Sequence, residues 1–305
     1  MKQSWICSAL LAVTMCGCSS DDGMTGNGGD AEIKIGATVY GTITKAPVTT
    51  GDEFTAAITA FEGTSEPIDW TVTPNWQNSV TLTAAETSAG NKVPLNTSKT
   101  YPTNGNVYMA AWHPEIASVR GVVPFKKTGT EDIMWGGIVN GSKMKPVGAF
   151  AFTHALTQLV FQVQASEAYM EDSPKAVKAI KVQGAQYAQS MTIKDGGITY
   201  APAAEVPVPG APETPLALTT TLVKFGEPLM INTLDGVKVK ITYGDDTVSK
   251  DITIKNTKDQ QPLKALAGNS HLISLVFQKS GEVTIEGTAS VAPWEQGAEG
   301  SGTVE

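Results

Sequence analysis

Apolar and polar residues alternate along most of the chain from Ala31 onward. That is the period of a half-buried β-strand, not of a helix. Ile33, Ile35, Ala37, Val39, Gly41 and Ile43 alternate with Glu32, Lys34, Thr38, Thr42 and Thr44, predicting one long strand over Glu32–Thr44. Further strands are predicted over 54–61, 68–73, 79–83, 106–112 and 132–139. Residues 147–164 are the most apolar stretch. Their inward positions are even up to Leu156 and odd from Leu159, so one strand there would need a bulge or bend near Thr157. Val237, Val239, Ile241 and Tyr243 alternate, break at Gly244-Asp245-Asp246 and resume at Val248, Ile252 and Ile254, which is a hairpin pattern. Two more strands are predicted over 272–278 and 283–291, with Val283, Ile285, Gly287, Ala289 and Val291 on one face of the second. Only 166–180 could hold a short helix, and Pro174 interrupts it. The Pro-rich stretch 201–215 reads as a loop.

Short strands divided by turn residues predict an all-β body built of β-sandwiches. With 305 residues and 41% hydrophobic content the chain can bury a sizeable core, and its length favours two domains. The polar run 167–175 is the best internal gap, giving an N-terminal sandwich over 31–168 and a C-terminal one over 169–305. Net charge is −8, and Arg120 is the single arginine among 22 basic residues. Nucleic acid is therefore excluded as an expected partner, since its phosphates and bases call for basic surface and the planar Arg fork.

Residues 1–17 have the layout of a secretory signal: Lys2, then an apolar run over 5–15 too short to span a membrane comfortably. All three cysteines, Cys7, Cys16 and Cys18, fall in or just after it. No disulfide or cysteine metal site is expected in the mature chain. Gly17-Cys18-Ser19-Ser20 resembles a bacterial lipobox, with Cys18 as the acylated first residue; Cys16 fits less well because bulky Met15 precedes it. Several acyl chains anchor a protein stably where one is marginal. Residues 18–30, rich in Gly, Ser and Asp, read as a flexible tether. Its acidic start resembles the surface-export tract of Bacteroides-type lipoproteins, which implies the outer face of the outer membrane.

Candidate chemistry is sparse. Tyr243-Gly244-Asp245-Asp246 spells a polymerase-like metal motif, but no further catalytic Asp accompanies it, and Gly and Asp suit a plain turn. His113, His154 and His271 are isolated, without metal-ligand spacing. There is no Gly-x-Ser-x-Gly step. A non-catalytic protein without cofactor or metal is expected. Of the mature tryptophans, Trp70 and Trp76 flank a Pro74-Asn75 turn and could offer an aromatic platform for a sugar.

Several stretches together resemble the fimbrillin family of Bacteroides-type surface proteins, subunits of donor-strand-assembled (type V) fimbriae. They are the lipobox leader; Thr44-Lys45-Ala46; Tyr101-Pro102 with Asn104-Gly105; Trp112-His113-Pro114; Asp132-Ile133-Met134-Trp135; Phe152-Thr153-His154-Ala155-Leu156-Thr157-Gln158-Leu159; and Val291-Ala292-Pro293-Trp294 with Gly297. The resemblance implies two tandem transthyretin-like β-sandwich domains. It implies a structural or accessory subunit of cell-surface fimbriae, with other fimbrial subunits, the outer membrane and host or bacterial surface ligands as partners. It also implies cleavage at Lys45–Ala46, departure of a first strand carrying Ile33, Ile35, Val39 and Ile43, and refilling of its groove by a neighbour's terminal strand. Val283, Ile285 and Val291 are the candidates for that C-terminal strand. The alternative expectation is a surface glycan-binding lipoprotein.

Overall fold

The computed structural model describes residues 31–40, 53–63, 66–83, 92–172, 175–279, 287–293 and 302–304. The strands of the first half are β1 (Lys34–Tyr40), β2 (Glu53–Gly63), β3 (Trp76–Thr83), β4 (Val93–Pro94), β5 (Asn106–His113), β6 (Val122–Pro124), β7 (Met134–Gly141) and β8 (Ala149–His154). After β9 (Thr157–Ala165) comes the short helix α1 (Glu167–Glu171), capped by the Ser166 hydroxyl, which accepts from the Tyr169 N–H. The remainder is β10 (Val177–Ala185), β11 (Ala188–Thr192), β12 (Ile198–Tyr200), β13 (Ala204–Pro207), β14 (Val223–Ile231), β15 (Lys238–Tyr243), β16 (Ile252–Asn256), β17 (Asn269–Phe277), β18 (Gly287–Pro293) and β19 (Gly302–Val304). The fold is all-β, as the alternation predicts.

Seven strands form the first sheet, in the order β3-β2-β5-β7-β8-β1-β4. It curls until its ends meet. Asn96 donates its backbone N–H to Ser79 O at 2.9 Å, and Asn78 donates through its side-chain amide to Thr97 O. Its inner face encloses Ile33, Ile35, Ile58, Val80, Met109, Phe150 and Phe152. The second sheet runs β13-β10-β15-β16-β18-β17-β9-β14, with β19 also on β17. Leu159, Phe161, Val182, Phe225, Ile241, Ile254 and Phe277 fill its core.

The apolar stretch 147–164 departs from a single bulged strand. It is two strands in two sheets: β8 ends in the first at His154 and β9 opens the second at Thr157. The parity of inward residues changes because the chain changes sheet across Ala155 and Leu156. This crossing lies upstream of the junction expected near residue 168. Residues 68–73, expected as a strand, form turns and irregular backbone. Within the supposed loop 201–215, β13 pairs along the outer edge of β10. Strands β4, β6, β10, β11, β12, β14 and β19 are additional.

A third core joins the two sheets. Trp112, Tyr108, Val123 and Ile133 from the first half pack with Ala188, Met191, Ile193 and Met230 from the second. A small sheet, β12-β11-β6, crosses the same boundary, with Met191 opposite Val123. Strand β5 is therefore buried on both faces: Val107 and Met109 face the first core, Tyr108 and Trp112 the third. Its near-continuous apolar run is the sequence trace of that double burial.

His271 on β17 is completely buried, and neither ring nitrogen has a hydrogen-bond partner among the described residues. Burial lowers its pKa to about 4 from an ordinary 6.5. Between those values the unfolded chain binds a proton that the folded one refuses, so stability falls as pH drops through 6.5 toward 4. The expected loss between pH 7 and pH 5 from this group is about 2 kcal/mol. Urea titrations at the two pH values check it: His271→Leu should remove that part of the difference.

Candidate functional site

The residues singled out from sequence concentrate on the first strand and the chain's far end. Ile33 and Ile35 are completely buried in the first core, together with Ala37. Val39 lies on β1 opposite Phe152. Val291 lies on β18 opposite His271. Cys18, Ile43, Lys45, Ala46, Val283 and Ile285 lie outside the described residues.

Strand β1 is held unequally on its two sides. Along one side it runs parallel to β8, from Gly36 opposite Ala149 to Tyr40 opposite Thr153. On the other side, among the described residues, the cover lies over its beginning. Lys34 and Ile35 pair with Pro94 and Val93 of β4. Just before them, the Ile33 N–H donates to Lys99 O at 2.7 Å and the Tyr101 N–H to Ala31 O at 3.0 Å. Beyond Ile35, no strand among the described residues lies on that side. The first strand is thus flanked on both sides at its start, and over Gly36–Tyr40 its partner among the described residues is β8.

Two clasps hold the cover down. The Tyr101 hydroxyl accepts the Val147 N–H at 2.9 Å in the interior, tying the covering segment to the approach to β8. Lys92 donates through Nζ to Val147 O at 2.8 Å. Burying the side chains of Ile33 and Ile35 stabilises the closed arrangement by about 3–6 kcal/mol. The aromatic wall behind them includes Phe54 and Phe152, edge to face with centroids 5.3 Å apart.

At the other end, β18 is flanked on both sides. It runs antiparallel to β17, with Ile273 opposite Ala289, and parallel to β16, with Ile254 opposite Gly287. Strand β19 pairs parallel with β17 over Leu275–Phe277. The last strands of the chain therefore complete the second sheet by occupying positions beside β17.

The remaining polar motifs serve the scaffold. His154 Nδ1 lies 2.8 Å from Asp132 Oδ1, both side chains almost wholly buried, where the chain crosses between sheets. The Gln158 side-chain oxygen accepts from the Ser270 hydroxyl just beyond. Asp245 accepts from the hydroxyl and N–H of Thr247 and pairs with Lys175 at 3.0 Å, which together hold its carboxyl down at about 2. Asp246 pairs with Lys178 and takes a positive φ of 64°. The two carboxylates shape a hairpin turn. No open aromatic platform forms among the described tryptophans: Trp70 and Trp112 are buried, Trp135 is half-buried against the third core, and Trp76 donates to Glu62 with Lys99 over its ring. Sequence reasoning missed the cover over β1; Tyr101-Pro102, noted only as part of a resemblance, was its one visible sign.

A fimbrillin-like family model matches residues 38–294. The chain belongs to the fimbrillin-like family. Among solved structures, a candidate cell adhesion protein from Bacteroides uniformis superposes with a TM-score of 0.55 at 16% identity, covering 86% of this chain and 98% of that one. The C-terminally truncated tip fimbrial protein Mfa3 from Porphyromonas gingivalis is more distant. It has a TM-score of 0.44 and 9% identity, over 87% of this chain and 100% of that one. No curated protein matches the chain. Family membership supports a fimbrial or adhesin-type surface subunit.

Replacing Tyr101 by Phe leaves the Val147 N–H buried without its acceptor and should cost about 1–3 kcal/mol. Amide hydrogen exchange checks where the cost falls: protection should drop first at Ile33, bonded into the cover, while β2 and β5 keep theirs.

Proposed function

We propose that this protein is a structural or accessory subunit of surface fimbriae, joined to its neighbours by exchange of an extended strand. The observation that carries the proposal is the first strand, laddered to β8 along one side and, among the described residues, covered at its beginning on the other. Its seven residues span roughly 23 Å at about 3.3 Å each. Its loss would leave β8 with an unpaired edge and the first core without Ile33, Ile35 and Ala37. A partner strand with alternating apolar residues would satisfy both demands at once. One subunit donating and the next accepting is a head-to-tail contact that does not close on itself, and so builds a filament.

On this reading acylated Cys18 anchors the uncut subunit in the outer membrane, and Lys45–Ala46 is the cut that frees the strand. The donor is the C-terminal segment that includes Val291, which must leave its place between β17 and β16 to serve. No catalysis or cofactor is involved. Other fimbrial subunits are the partners, and the cell surface is the site of action.

Mass spectrometry of protein recovered from assembled fibres tests the cut. N-termini at Ala46 are expected, and Lys45→Gln should keep the protein out of fibres. Fibres whose subunits still begin at acylated Cys18 would overturn processing at Lys45.

A further inference from the structure

Arg120, the chain's single arginine, sits at the tip of a two-residue turn. Val119 and Val122 exchange both backbone hydrogen bonds, at 2.8 and 3.0 Å, and Arg120 and Gly121 take φ of 49° and 75°. Such a turn asks for residues that tolerate positive φ, and arginine is a costly choice there. The turn is pinned. A Cβ on Gly121 would come 2.7 Å from Trp70 O, and the Ile193 N–H donates to Gly121 O at 3.0 Å. Yet the Arg120 side chain is exposed and has no hydrogen bond or ion pair among the described residues.

A concavity lies on each side of it, about 270 Å³ toward Trp70 and Lys194 and about 510 Å³ toward Pro74 and Val119. Arg120 and Thr71 line both. The first also carries two carboxylates. One Asp69 oxygen accepts from the N–H and hydroxyl of Thr71, and one Asp195 oxygen from the Gly197 N–H and the Thr192 hydroxyl. These bonds hold both carboxyls below their ordinary range, so both stay ionised with a second oxygen free to accept. Val72 and Val119, 50% and 65% exposed, supply apolar surface on the other side.

We propose that this cleft binds a carboxylated saccharide, such as one bearing a sialic or uronic acid, with Arg120 clasping the carboxylate. The guanidinium fork matches a carboxylate in two parallel hydrogen bonds. Asp69 and Asp195 are placed to accept from sugar hydroxyls, and the valines to meet the C–H face of a ring. An extended peptide is disfavoured because the backbone here is already engaged. Strand β6 pairs with β11, Val122 turns its remaining groups to Val119, and Pro124 has no N–H. Polyanions are disfavoured because Arg120 and Lys194 are balanced by the two aspartates lining the same cleft. The inference goes beyond strand exchange, and it is measured on the uncut chain, so the two readings fail separately.

The test is calorimetric titration of the full chain with sialyllactose, a glucuronic-acid-ended disaccharide, lactose and an acidic peptide. At least one acidic sugar should bind, with lactose and the peptide about tenfold weaker or worse. Arg120→Asn removes the guanidinium but tolerates positive φ, and should weaken binding about tenfold or more at unchanged thermal stability. Val119→Glu, an exposed like charge beside the cleft, should weaken it too. Failure of both acidic sugars to bind, equal binding of lactose, preference for the peptide, or binding that survives both variants would overturn the proposal.

Discussion

Every strand of a curled sheet needs a hydrogen-bonding neighbour and a buried face, and β1 supplies both between β8 and β4, one strand in from where the first sheet closes. Its Ile33, Ile35 and Ala37 complete the inner layer, and its backbone satisfies β8. What keeps it there is asymmetric. A full ladder runs along one side, and along the other a short cover is held by Tyr101 and Lys92. An unpaired strand edge in a finished protein is a template for further pairing. Over Gly36–Tyr40 the partner of β1 among the described residues is β8.

The junction between the sheets is built by the opposite logic. It uses residues buried on two sides and polar groups that answer one another. Trp112 fills the third core and donates its indole N–H to Ile116 O, so its bulk is accommodated without an orphaned donor. The Asp132–His154 pair fixes the chain as it leaves β8, and Gly268 donates to Leu156 O as it enters the second sheet. These contacts account for the conspicuous run from Phe152 to Leu159. It is where two sheets, two parities and a buried hydrogen-bonded pair meet.

Much of this was legible in the sequence. Alternation gave β1 and the β15–β16 hairpin, because each has one face in a core and the other in less demanding surroundings, whereas β2 and β5, buried on both faces, showed as near-continuous apolar runs. It misled where the chain changes sheet and where burial is absent. The change of parity after Leu156 was visible, but periodicity cannot distinguish a bulge from a change of sheet. Residues 68–73 alternate like a strand, yet Asp69 turns back on Thr71 and ends any ladder. The cover over β1 depends on residues some sixty positions away in sequence, which no local pattern records. Arg120 stood out as an exclusion argument, whereas its place in a pinned turn between two hollows is a tertiary fact.

The third core also limits how such a chain can change over evolutionary time. With Trp112, Val123 and Ile133 on one side answered by Ala188, Met191 and Met230 on the other, neither half can be duplicated, swapped or inherited alone without baring a wide apolar surface. Variation is channelled instead into exposed connections such as the segment around Met144, where additions disturb no packed neighbour. Relatives should therefore diverge by decoration at their rims while keeping the paired body whole.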